Sequence, residues 1–318
     1  MDYILLIIGF VILIKWADFL VEGSSSIAQR FGISSLVIGL TVVAFGTSAP
    51  EFFVNILSAT RGQTDLAIWN IVGSNIANIL LILWVAAFIY PITAKASTIY
   101  KEVPFSLIAS LALFFMAYDT YFTWASENII SRSDGMILLL FFVIFFSYTF
   151  GISRNSSPEE TDEQPNLSTT KTAAYLILGM TGLSLWAYFL VNSAQSIASQ
   201  FWVPESFIGL TVIAFGTSLP ELATSVIASL KKKVDIVVWN VIGSNIFNIL
   251  LVLSTTSIVS EITVQGAIIT DIIFELCITV LLIGFLFFIW KRWVLTRVEW
   301  GIFLSIYLFY MWYLFINL

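Results

Sequence analysis

Residues 44–51 read Ala-Phe-Gly-Thr-Ser-Ala-Pro-Glu, and residues 214–221 read Ala-Phe-Gly-Thr-Ser-Leu-Pro-Glu. Each copy is followed by Gly-Ser-Asn-Ile-x-Asn, at residues 73–78 and again at residues 243–248. The surrounding stretches, 39–83 and 209–253, align without a gap at an offset of 170 residues, and about half of their positions are identical. The chain therefore contains an internal duplication, and its fold should be built from two equivalent halves.

The composition predicts a polytopic membrane protein. Of the 318 residues, 59% are hydrophobic and only 11% are charged, whereas soluble domains carry about 25% charged residues. Apolar runs long enough to cross a hydrocarbon core of about 30 Å recur along the whole chain. The sequence has no basic patch outside short loops, so it does not suggest a nucleic-acid partner. The N-terminus lacks a basic signal-peptide region and should be a retained first helix. The single cysteine, Cys277, is expected to face lipid or to be packed.

Ten apolar segments are predicted to cross the membrane, five on each side of a polar stretch. They run approximately over residues 3–28, 33–60, 66–91, 103–117, 135–152, 172–198, 206–230, 236–260, 267–290 and 298–316. Because five is odd, the second set must enter the membrane from the opposite side. The expected fold is an all-α polytopic membrane protein, in which ten transmembrane helices form two inverted five-helix repeats, residues 1–152 and 172–318.

The polar stretch 153–171 joins the two halves. It is rich in Ser, Thr, Asn and Pro and carries an acidic run, Glu159, Glu160, Asp162 and Glu163. Such a composition cannot bury an apolar core, so we expect a flexible linker. A calcium-sensing role for its acidic side chains is the alternative.

Loop charges predict the orientation of the chain. With ten crossings, only Arg61 and Arg132 fall on one side of the membrane. Eleven basic residues fall on the other: Arg30, Lys95, Lys101, Arg154, Lys171, Lys231, Lys232, Lys233, Lys291, Arg292 and Arg297. Cytoplasmic loops carry the excess of Lys and Arg. The protein should therefore lie in the plasma (cytoplasmic) membrane with both termini extracellular and the linker cytoplasmic.

The first segment contains charges that the second half does not repeat. Lys15 and Asp18 are three residues apart and can pair on one helix face, with Glu22 nearby. Residues 185 and 188, at the equivalent positions, are Leu and Tyr. We expect a structural pair or a snorkelling lysine, and a role in gating or ion entry is the alternative.

The first motif should break its helix. Gly46 and Pro50 interrupt an apolar segment, and the Thr-Ser pair between them suits the N-cap of a new half-helix with proline in its first turn. The upstream half should end in free carbonyls near Ala44, and the positive end of the downstream half should lie near Glu51. Unpaired backbone groups at membrane depth are tolerated only where they line a cavity. Carbonyl, hydroxyl and carboxylate oxygens suit Na⁺ or Ca²⁺.

The second motif places polar side chains at four-residue spacing, and therefore on one helix face. They are Asn70, Ser74 and Asn78 in the first copy and Asn240, Ser244 and Asn248 in the second. Brought together, the motif helices would enclose a midplane site that holds Glu51 and Glu221. A lone Gly-x-x-x-Pro is usually only a kink, but its duplication beside an intramembrane glutamate favours function. For Asn75 and Asn245, hydrogen bonding between helices is the alternative role.

These residues resemble the sodium/calcium exchanger family, within the calcium/cation antiporters, and especially its compact prokaryotic members. The paired motifs are similar to the two α-repeats of that family, and the resemblance covers essentially the whole chain. It implies ten transmembrane helices, with the α-repeat helices forming a diamond of four cation sites. It also implies that the first and sixth helices slide across a rigid core.

The resemblance implies a role for individual residues. Ca²⁺ would be held by the carboxylates of Glu51 and Glu221 with oxygens of Thr47 and Thr217. The remaining ligands would be Ala44, Ser48 and Ser74 in one flanking sodium site, Ala214, Ser218 and Ser244 in its mate, and Asn78 and Asn248 with the glutamates in the middle site.

Two positions depart from the family pattern. Some relatives, including potassium-dependent ones, carry Asp where this chain has Asn248, so the pocket has only two carboxylates and K⁺ co-transport is not expected. Family members commonly have Gly before the Asn of the second motif, where this chain has Trp69 and Trp239.

The predicted function is a secondary antiporter, not an enzyme, that exchanges Na⁺ for Ca²⁺ by alternating access, is electrogenic and exports Ca²⁺. Its partners would be the two ions and the lipid bilayer, with no cofactor and no obligate protein partner. An H⁺/Ca²⁺ exchanger is the nearest alternative, because buried glutamates can carry protons. A cation channel is less favoured, because channels usually have rotational subunit symmetry. An intramembrane enzyme is disfavoured, because no nucleophile with a base partner is evident.

Overall fold

The computed structural model describes residues 2–31, 35–93, 96–155, 167–200, 214–286, 294–295 and 297–317, which are mostly helical. Up to residue 155 the helices are α1 (Asp2–Phe31), α2 (Ser35–Ile38), α3 (Ala44–Thr47), α4 (Ala49–Thr60), α5 (Thr64–Ala77), α6 (Leu83–Ile89), α7 (Ala96–Ala117), α8 (Asp119–Phe122) and α9 (Arg132–Asn155). After the linker they are α10 (Thr169–Gln200), α11 (Ala214–Thr217), α12 (Leu219–Leu230), α13 (Val234–Phe247), α14 (Ser254–Val259), α15 (Gly266–Gly284) and α16 (Arg297–Asn317).

The described helices overlap the predicted apolar segments. Among the described residues, five helical stretches are long and apolar enough to cross a membrane, and six if the bent pair 39–47 and 49–60 is one span. The five are Thr64–Ile89, Arg132–Thr149, Thr169–Ile197, Val234–Val259 and Gly266–Gly284. Most of the predicted linker, residues 156–166, and the start of the predicted seventh segment lie outside the described residues.

The predicted break in the first motif is present, with one difference. α3 and α4 meet at Ser48 with a bend of 49°, and Pro50 lies in the first turn of α4. Ser48 occupies the N-cap position, but its hydroxyl caps no backbone amide. The carbonyl of Ala44 is not free as expected, because it accepts a hydrogen bond from the Ser48 amide at 3.0 Å. The helix therefore bends without losing this bond.

In the described part of the chain three π-helical turns flank the motifs, and the sequence did not predict them. They span Gly39–Val43, Asn78–Ile82 and Asn248–Leu253. Two of them begin at the last asparagine of a Gly-Ser-Asn-Ile-x-Asn motif. A π-turn holds one extra residue and changes the face that the following side chains occupy, and such turns are frequent at functional sites.

Two short antiparallel strand pairs join the loops at the helix ends. β1 (Ile92–Thr93) pairs with β4 (Val294–Leu295), with Ile92 opposite Leu295. β2 (Ile129–Ile130) pairs with β3 (Ile262–Thr263), with Ile130 opposite Ile262. Each pair connects a loop from before the linker to a loop from after it, so the two halves are joined at both ends of the helices.

α1 and α10 form a long close-packed pair. A Cβ added at Gly9 would lie 2.7 Å from a methyl group of Leu190, and one at Gly179 would lie 2.8 Å from the backbone of Leu20. At another point along the pair, the Ser26 hydroxyl hydrogen-bonds that of Thr172 at 2.8 Å. Small residues on both helices thus let the backbones approach, as in other membrane helix pairs.

The pattern of burial is that expected of a protein in lipid. Large apolar side chains are exposed on the outer surface, including Phe53, Ile144 and Phe315. In contrast, many Ser, Thr, Asn and acidic side chains are buried between the helices. Cys277 is exposed and free, and it lies in α15, which agrees with its expected position facing lipid.

Candidate cation site

Two glutamates form the centre of the site. Glu51 lies in the first turn of α4 and Glu221 in the first turn of α12, and both are fully buried. Each carboxylate lies at the positive end of a helix dipole, which stabilises its negative charge. The two carboxylates are close enough to interact electrostatically. Two acidic groups held together in an apolar interior require a positive partner or a proton.

The threonine hydroxyls of the site hydrogen-bond asparagines of the opposite half. Thr217 Oγ1 donates to Asn70 Oδ1 at 2.9 Å, and Thr47 Oγ1 donates to Asn240 Oδ1 at 3.1 Å. A hydroxyl has one proton and two lone pairs, so a hydroxyl whose proton is used elsewhere can offer a lone pair to a cation. With its proton on the asparagine, each of these threonines can offer a lone pair to a cation.

The side-chain amides of Asn78 and Asn248 also donate their hydrogen bonds to asparagines of the opposite half. Asn78 Nδ2 donates to Asn245 Oδ1 at 2.9 Å, and Asn248 Nδ2 donates to Asn75 Oδ1 at 3.1 Å. The oxygens of Asn78 and Asn248 have no hydrogen-bond partner among the described residues. These amides thus use their donors on neighbouring helices and leave their oxygens available.

Several buried oxygens of the site lack a donor in the described part of the chain. Both oxygens of Glu51, Oε2 of Glu221 and the two amide oxygens of Asn78 and Asn248 belong to this set, as does the hydroxyl of Ser218. Buried polar atoms are rarely left unsatisfied, because each costs free energy. A cluster made mainly of unsatisfied acceptors fits a cation that prefers oxygen ligands.

The remaining predicted ligands also lie at the site. The hydroxyls of Ser48 and Ser244 each donate to Glu221 Oε1 at 3.1 Å. Ser74 Oγ lies 3.3 Å from the carbonyl of Ala214 and 3.3 Å from Thr217 Oγ1. Every predicted site residue is described, and all are buried: Ala44, Thr47, Ser48, Glu51, Ser74, Asn78, Ala214, Thr217, Ser218, Glu221, Ser244 and Asn248.

Two glycines allow the helices to cross closely beside the site. A Cβ added at Gly73 would lie 2.9 Å from Cβ of Ala214, and one at Gly243 would lie 2.9 Å from Cβ of Ala44. Carbon atoms this close must move apart, so neither position can accept a side chain without moving a helix. The glycines of the second motif in each half therefore set the approach of the first motif of the other half.

Some residues of this network were not predicted as site residues. Asn55 Oδ1 accepts from Asn70 Nδ2 at 3.0 Å, and Ser225 Oγ accepts from Asn240 Nδ2 at 3.0 Å. They lie on the helices that carry the glutamates, one turn after each, at equivalent positions in the two copies. This repeated polar position was the signal that could have found them. Asn75 and Asn245 hydrogen-bond between helices, which is the alternative role considered for them.

The oxygen atoms of the site favour a cation that is bound by few charged and many neutral ligands. Across the described residues, no group of three or more His, Cys, Asp or Glu side chains is placed to hold a metal ion. The pocket therefore combines its two carboxylates with hydroxyl, amide and carbonyl oxygens. Ligands of this kind suit Na⁺ and Ca²⁺ rather than transition metals, which prefer nitrogen and sulfur.

The sequence matches the family model described as sodium/calcium exchanger protein over residues 1–151 and 171–316. The chain belongs to the sodium/calcium exchanger family. The inner membrane protein YrbG of Escherichia coli (strain K12) is 36% identical over 265 residues, which cover 80% of this chain and 79% of that protein. The sodium/calcium exchanger MaX1 of Methanosarcina acetivorans is 28% identical over 295 residues, 83% of this chain and 84% of that one.

Two further comparisons define the fold and the range of the family. The solved structure of the sodium-calcium exchanger NCX_Mj, soaked with 10 mM Na⁺ and zero Ca²⁺, has a TM-score of 0.81 and 30% identity, covering 97% of each chain. The Ca²⁺/H⁺ antiporter ChaA of Bacillus subtilis is 24% identical over 65% of this chain and 63% of its own length. The exchanger described here is therefore a multi-pass membrane antiporter of this family with the fold of NCX_Mj.

The tryptophans that depart from the family pattern have different surroundings in this exchanger. Trp239 is the largest fully buried side chain, with 1% of its surface exposed, and its Cβ would lie 2.8 Å from a Cβ added at Gly39. Gly39 thus makes room for the tryptophan. Trp69 is only partly buried and packs at the edge of the core.

The charges of α1 pair differently from the prediction. Asp18 and Glu22 both form ion pairs with Lys231 in the turn between α12 and α13, at 2.7 Å for Glu22. The predicted pairing of Asp18 with Lys15 is wrong, because Asp18 faces the neighbouring hairpin and Lys15 is exposed. The ion pairs connect α1 directly to the hairpin that carries Glu221.

The pKa values of two lysines in this turn are shifted in opposite directions by their surroundings. Partial burial acts to lower the pKa of Lys231, but the hydrogen bonds and charges of Asp18 and Glu22 outweigh burial and raise it above its ordinary value. Burial and the charge of Lys231 lower the pKa of Lys233 to about 8, and its ammonium donates to Ser25 Oγ at 2.5 Å. Lys231 therefore stays charged over the physiological range.

Proposed function

We propose that this exchanger is an Na⁺/Ca²⁺ antiporter that works by alternating access and moves Ca²⁺ out of the cell. The observation that carries the proposal is the cluster of buried oxygens without donors around Glu51 and Glu221. Two carboxylates balance one Ca²⁺, and the same oxygens can be divided among several Na⁺ ions. Because the ligands are shared, the two kinds of ion exclude each other. Exchange follows if the protein switches between its outward-open and inward-open states only when a complete set of ions is bound.

The proposed ligands are those that the family resemblance implies, and the hydrogen bonds of the site support them. Ca²⁺ would bind between Glu51 and Glu221 with oxygens of Thr47 and Thr217, whose hydroxyls hydrogen-bond asparagines. Na⁺ would use the same groups together with the carbonyl, hydroxyl and amide oxygens of the flanking residues, Ala44, Ser48, Ser74, Asn78, Ala214, Ser218, Ser244 and Asn248.

We further propose ten transmembrane helices in two inverted repeats, residues 1–152 and 172–318. Contacts across the site support a two-fold relation, because they come in reciprocal pairs at the offset of the duplication. The pairs are Thr47–Asn240 with Thr217–Asn70, Asn78–Asn245 with Asn248–Asn75, Gly73–Ala214 with Gly243–Ala44, and Gly9–Leu190 with Gly179–Leu20. In this arrangement α1 and α10 would move as a pair against the remaining helices.

The proposed orientation has both termini outside and the linker in the cytoplasm. The excess of Lys and Arg in one set of loops gives the direction. Contacts between loops support the division into two sides, because loops assigned to one side touch each other. β1 pairs with β4 and Arg30 donates to the Leu167 carbonyl on the proposed cytoplasmic side. β2 pairs with β3 and Gln265 donates to Asp65 on the other side.

Cysteine labelling tests the orientation. On a Cys277→Ser background, Glu127→Cys should react with an impermeant maleimide in intact cells, because residue 127 is exposed and assigned to the outside. Ser168→Cys, exposed next to the linker, should react only after permeabilisation. The reverse pattern of labelling would show that the chain is inverted.

The nearest alternative is H⁺/Ca²⁺ exchange, which the family also contains, since the ChaA relative bears that name. A channel or an enzyme is the more distant alternative. Flux measurements in proteoliposomes separate them. An Na⁺-coupled exchanger accumulates Ca²⁺ when an outward Na⁺ gradient drives it at constant pH. A proton-coupled exchanger requires a pH gradient, and a channel needs no counter-ion. An enzyme would move no ion.

We expect Ca²⁺ flux in these liposomes to depend on Na⁺ and on membrane potential. If three Na⁺ exchange for one Ca²⁺, one net charge crosses per cycle, which is worth about 2.3 kcal/mol per 100 mV. A potential that is negative inside should then favour Na⁺ entry and Ca²⁺ exit. Flux that does not change with the clamped potential would exclude an exchange of three Na⁺ for one Ca²⁺.

The same liposomes should show no requirement for K⁺. With Asn248 neutral, one Ca²⁺ balances the two carboxylates, and a K⁺ beside it would leave excess positive charge in an apolar interior. Asn248→Asp adds a third acidic group and should introduce sensitivity to K⁺ or to protons. Wild-type flux that requires K⁺ at a fixed potential would contradict the interpretation of Asn248.

A further inference from the structure

A third buried carboxyl group lies behind the site, on α15. Glu275 is fully buried, and its Oε1 accepts from Ser110 Oγ at 2.9 Å and from Thr279 Oγ1 at 3.3 Å. Its other oxygen, Oε2, has no hydrogen-bond partner among the described residues. The duplication does not repeat it, because residue 105, at the equivalent position on α7, is Phe. Intramembrane acidic groups are costly, so Glu275 requires an explanation.

The neighbour of Glu275 on the side of the site is Asn75. The Asn75 side-chain amide lies close enough to Glu275 to interact with its carboxyl group. Asn75 Nδ2, like Glu275 Oε2, has no hydrogen-bond partner in the described part of the chain. The Asn75 oxygen, in contrast, accepts from Asn248 Nδ2 at 3.1 Å. One end of the Asn75 amide therefore faces an acceptor on α15, and the other end faces the site.

We propose that Glu275 is a positioning residue that sets the direction of an amide relay ending in the cation site, an inference that rests on the proposed function. A carboxylate oxygen has no proton to donate, so with Glu275 ionised the Asn75 NH₂ faces this oxygen and the Asn75 oxygen turns toward Asn248. Asn248 then donates its own NH₂ and directs its oxygen to the cation. Without Glu275, Asn75 can flip, and Asn248 would then direct a donor at the cation.

The equivalent amide in the other half is oriented in a different way, which supports the role assigned to Glu275. Asn245, the equivalent of Asn75, donates from Nδ2 to the backbone carbonyl of Asn75 at 3.3 Å and accepts from Asn78 Nδ2. A backbone carbonyl cannot become a donor, so this amide needs no acidic side chain. The direction of Asn75 depends instead on a side chain, and Glu275 supplies the acceptor.

The test uses Na⁺-dependent Ca²⁺ release from proteoliposomes. Glu275→Leu should raise the Na⁺ concentration for half-maximal release by about threefold or more, as expected for losing one polar interaction that orients a ligand. The rate at saturating Na⁺ should change little. Glu275→Gln should stay within about twofold of wild type, because Ser110 and Thr279 can also accept and let the Gln oxygen face Asn75. Asp271→Asn is the matched control, one turn earlier on α15, where the buried acid faces Tyr310.

A double-mutant cycle distinguishes positioning from a general loss of packing. Asn75→Ala alone should raise the half-maximal Na⁺ concentration as Glu275→Leu does, and adding Glu275→Leu should have no further effect. Additive effects of the two changes would overturn the proposal, as would a Glu275→Leu protein with wild-type Na⁺ dependence or a Glu275→Gln protein that fails like Glu275→Leu. Should Glu275→Leu not purify as a folded protein, Asn75→Ala and Glu275→Gln carry the test. Loss of Na⁺ dependence in the wild type would instead refute the proposed function.

Discussion

Replacing Glu51 or Glu221 with Gln should abolish Ca²⁺ transport, with flux at least about 1,000-fold below wild type. Each substitution removes one of two carboxylates that are fully buried and face a single pocket. A divalent cation would then be left with an unbalanced positive charge in a medium of low dielectric constant, where such a charge costs several kcal/mol. The loss should be similar for the two variants, because the glutamates have equivalent positions.

The measurement is ⁴⁵Ca²⁺ uptake by proteoliposomes that contain the purified variant under an outward Na⁺ gradient. Glu261→Gln is the matched control, because Glu261 is an exposed glutamate in the loop before β3. That variant should exchange at the wild-type rate. Near-normal Ca²⁺ exchange by a monodisperse Glu51→Gln or Glu221→Gln protein would remove the central claim of the proposed function.

Replacing Gly243 or Gly73 with Val should reduce exchange by about 100-fold or more. Even a single Cβ at Gly243 would approach Cβ of Ala44 to 2.9 Å, and one at Gly73 would approach Ala214 equally closely. Two branched methyl groups must therefore push apart the helices that carry the two motifs. Displacing ligand groups by about 1 Å is enough to lose about 100-fold in activity at a preorganised site.

Gly301→Val provides the control, because a Cβ at Gly301 has no atom within 4 Å. All three variants are compared for yield, monodispersity and exchange. If Gly243→Val and Gly73→Val fold and exchange like Gly301→Val, the close crossing is not needed for the site. An intermediate case, Gly243→Ala, should retain more activity than Gly243→Val, since a single methyl group requires a smaller shift.

The helices and the centre of the site could be predicted from the sequence because both depend on local constraints. An apolar run of about 20 residues in lipid must satisfy its backbone polar groups within itself, so it forms a helix whatever surrounds it. The two glutamates stood out because an acidic group in such a run is costly and is kept only for a function. The duplication then marked the hydroxyl and amide positions around Glu51 and Glu221.

Only the tertiary structure decided which polar groups form hydrogen bonds and ion pairs with each other. Ser48 was expected to cap its own helix, but its hydroxyl donates to Glu221 from the other half of the chain. Asp18 was expected to pair within α1, but its partner is Lys231, more than 200 residues away. Glu275 was not identified as a candidate, because it belongs to neither copy of the motif.

These differences have one physical reason. Spacing along the chain shows which side chains share a helix face, and that settles contacts over one or two turns. A hydrogen bond or ion pair, however, forms with the nearest suitable group in space, and in this exchanger that group usually lies on a helix from the other half. The sequence by itself thus determined which residues are polar at membrane depth, and the packing of the two halves decided which of their oxygens are left without a hydrogen-bond donor.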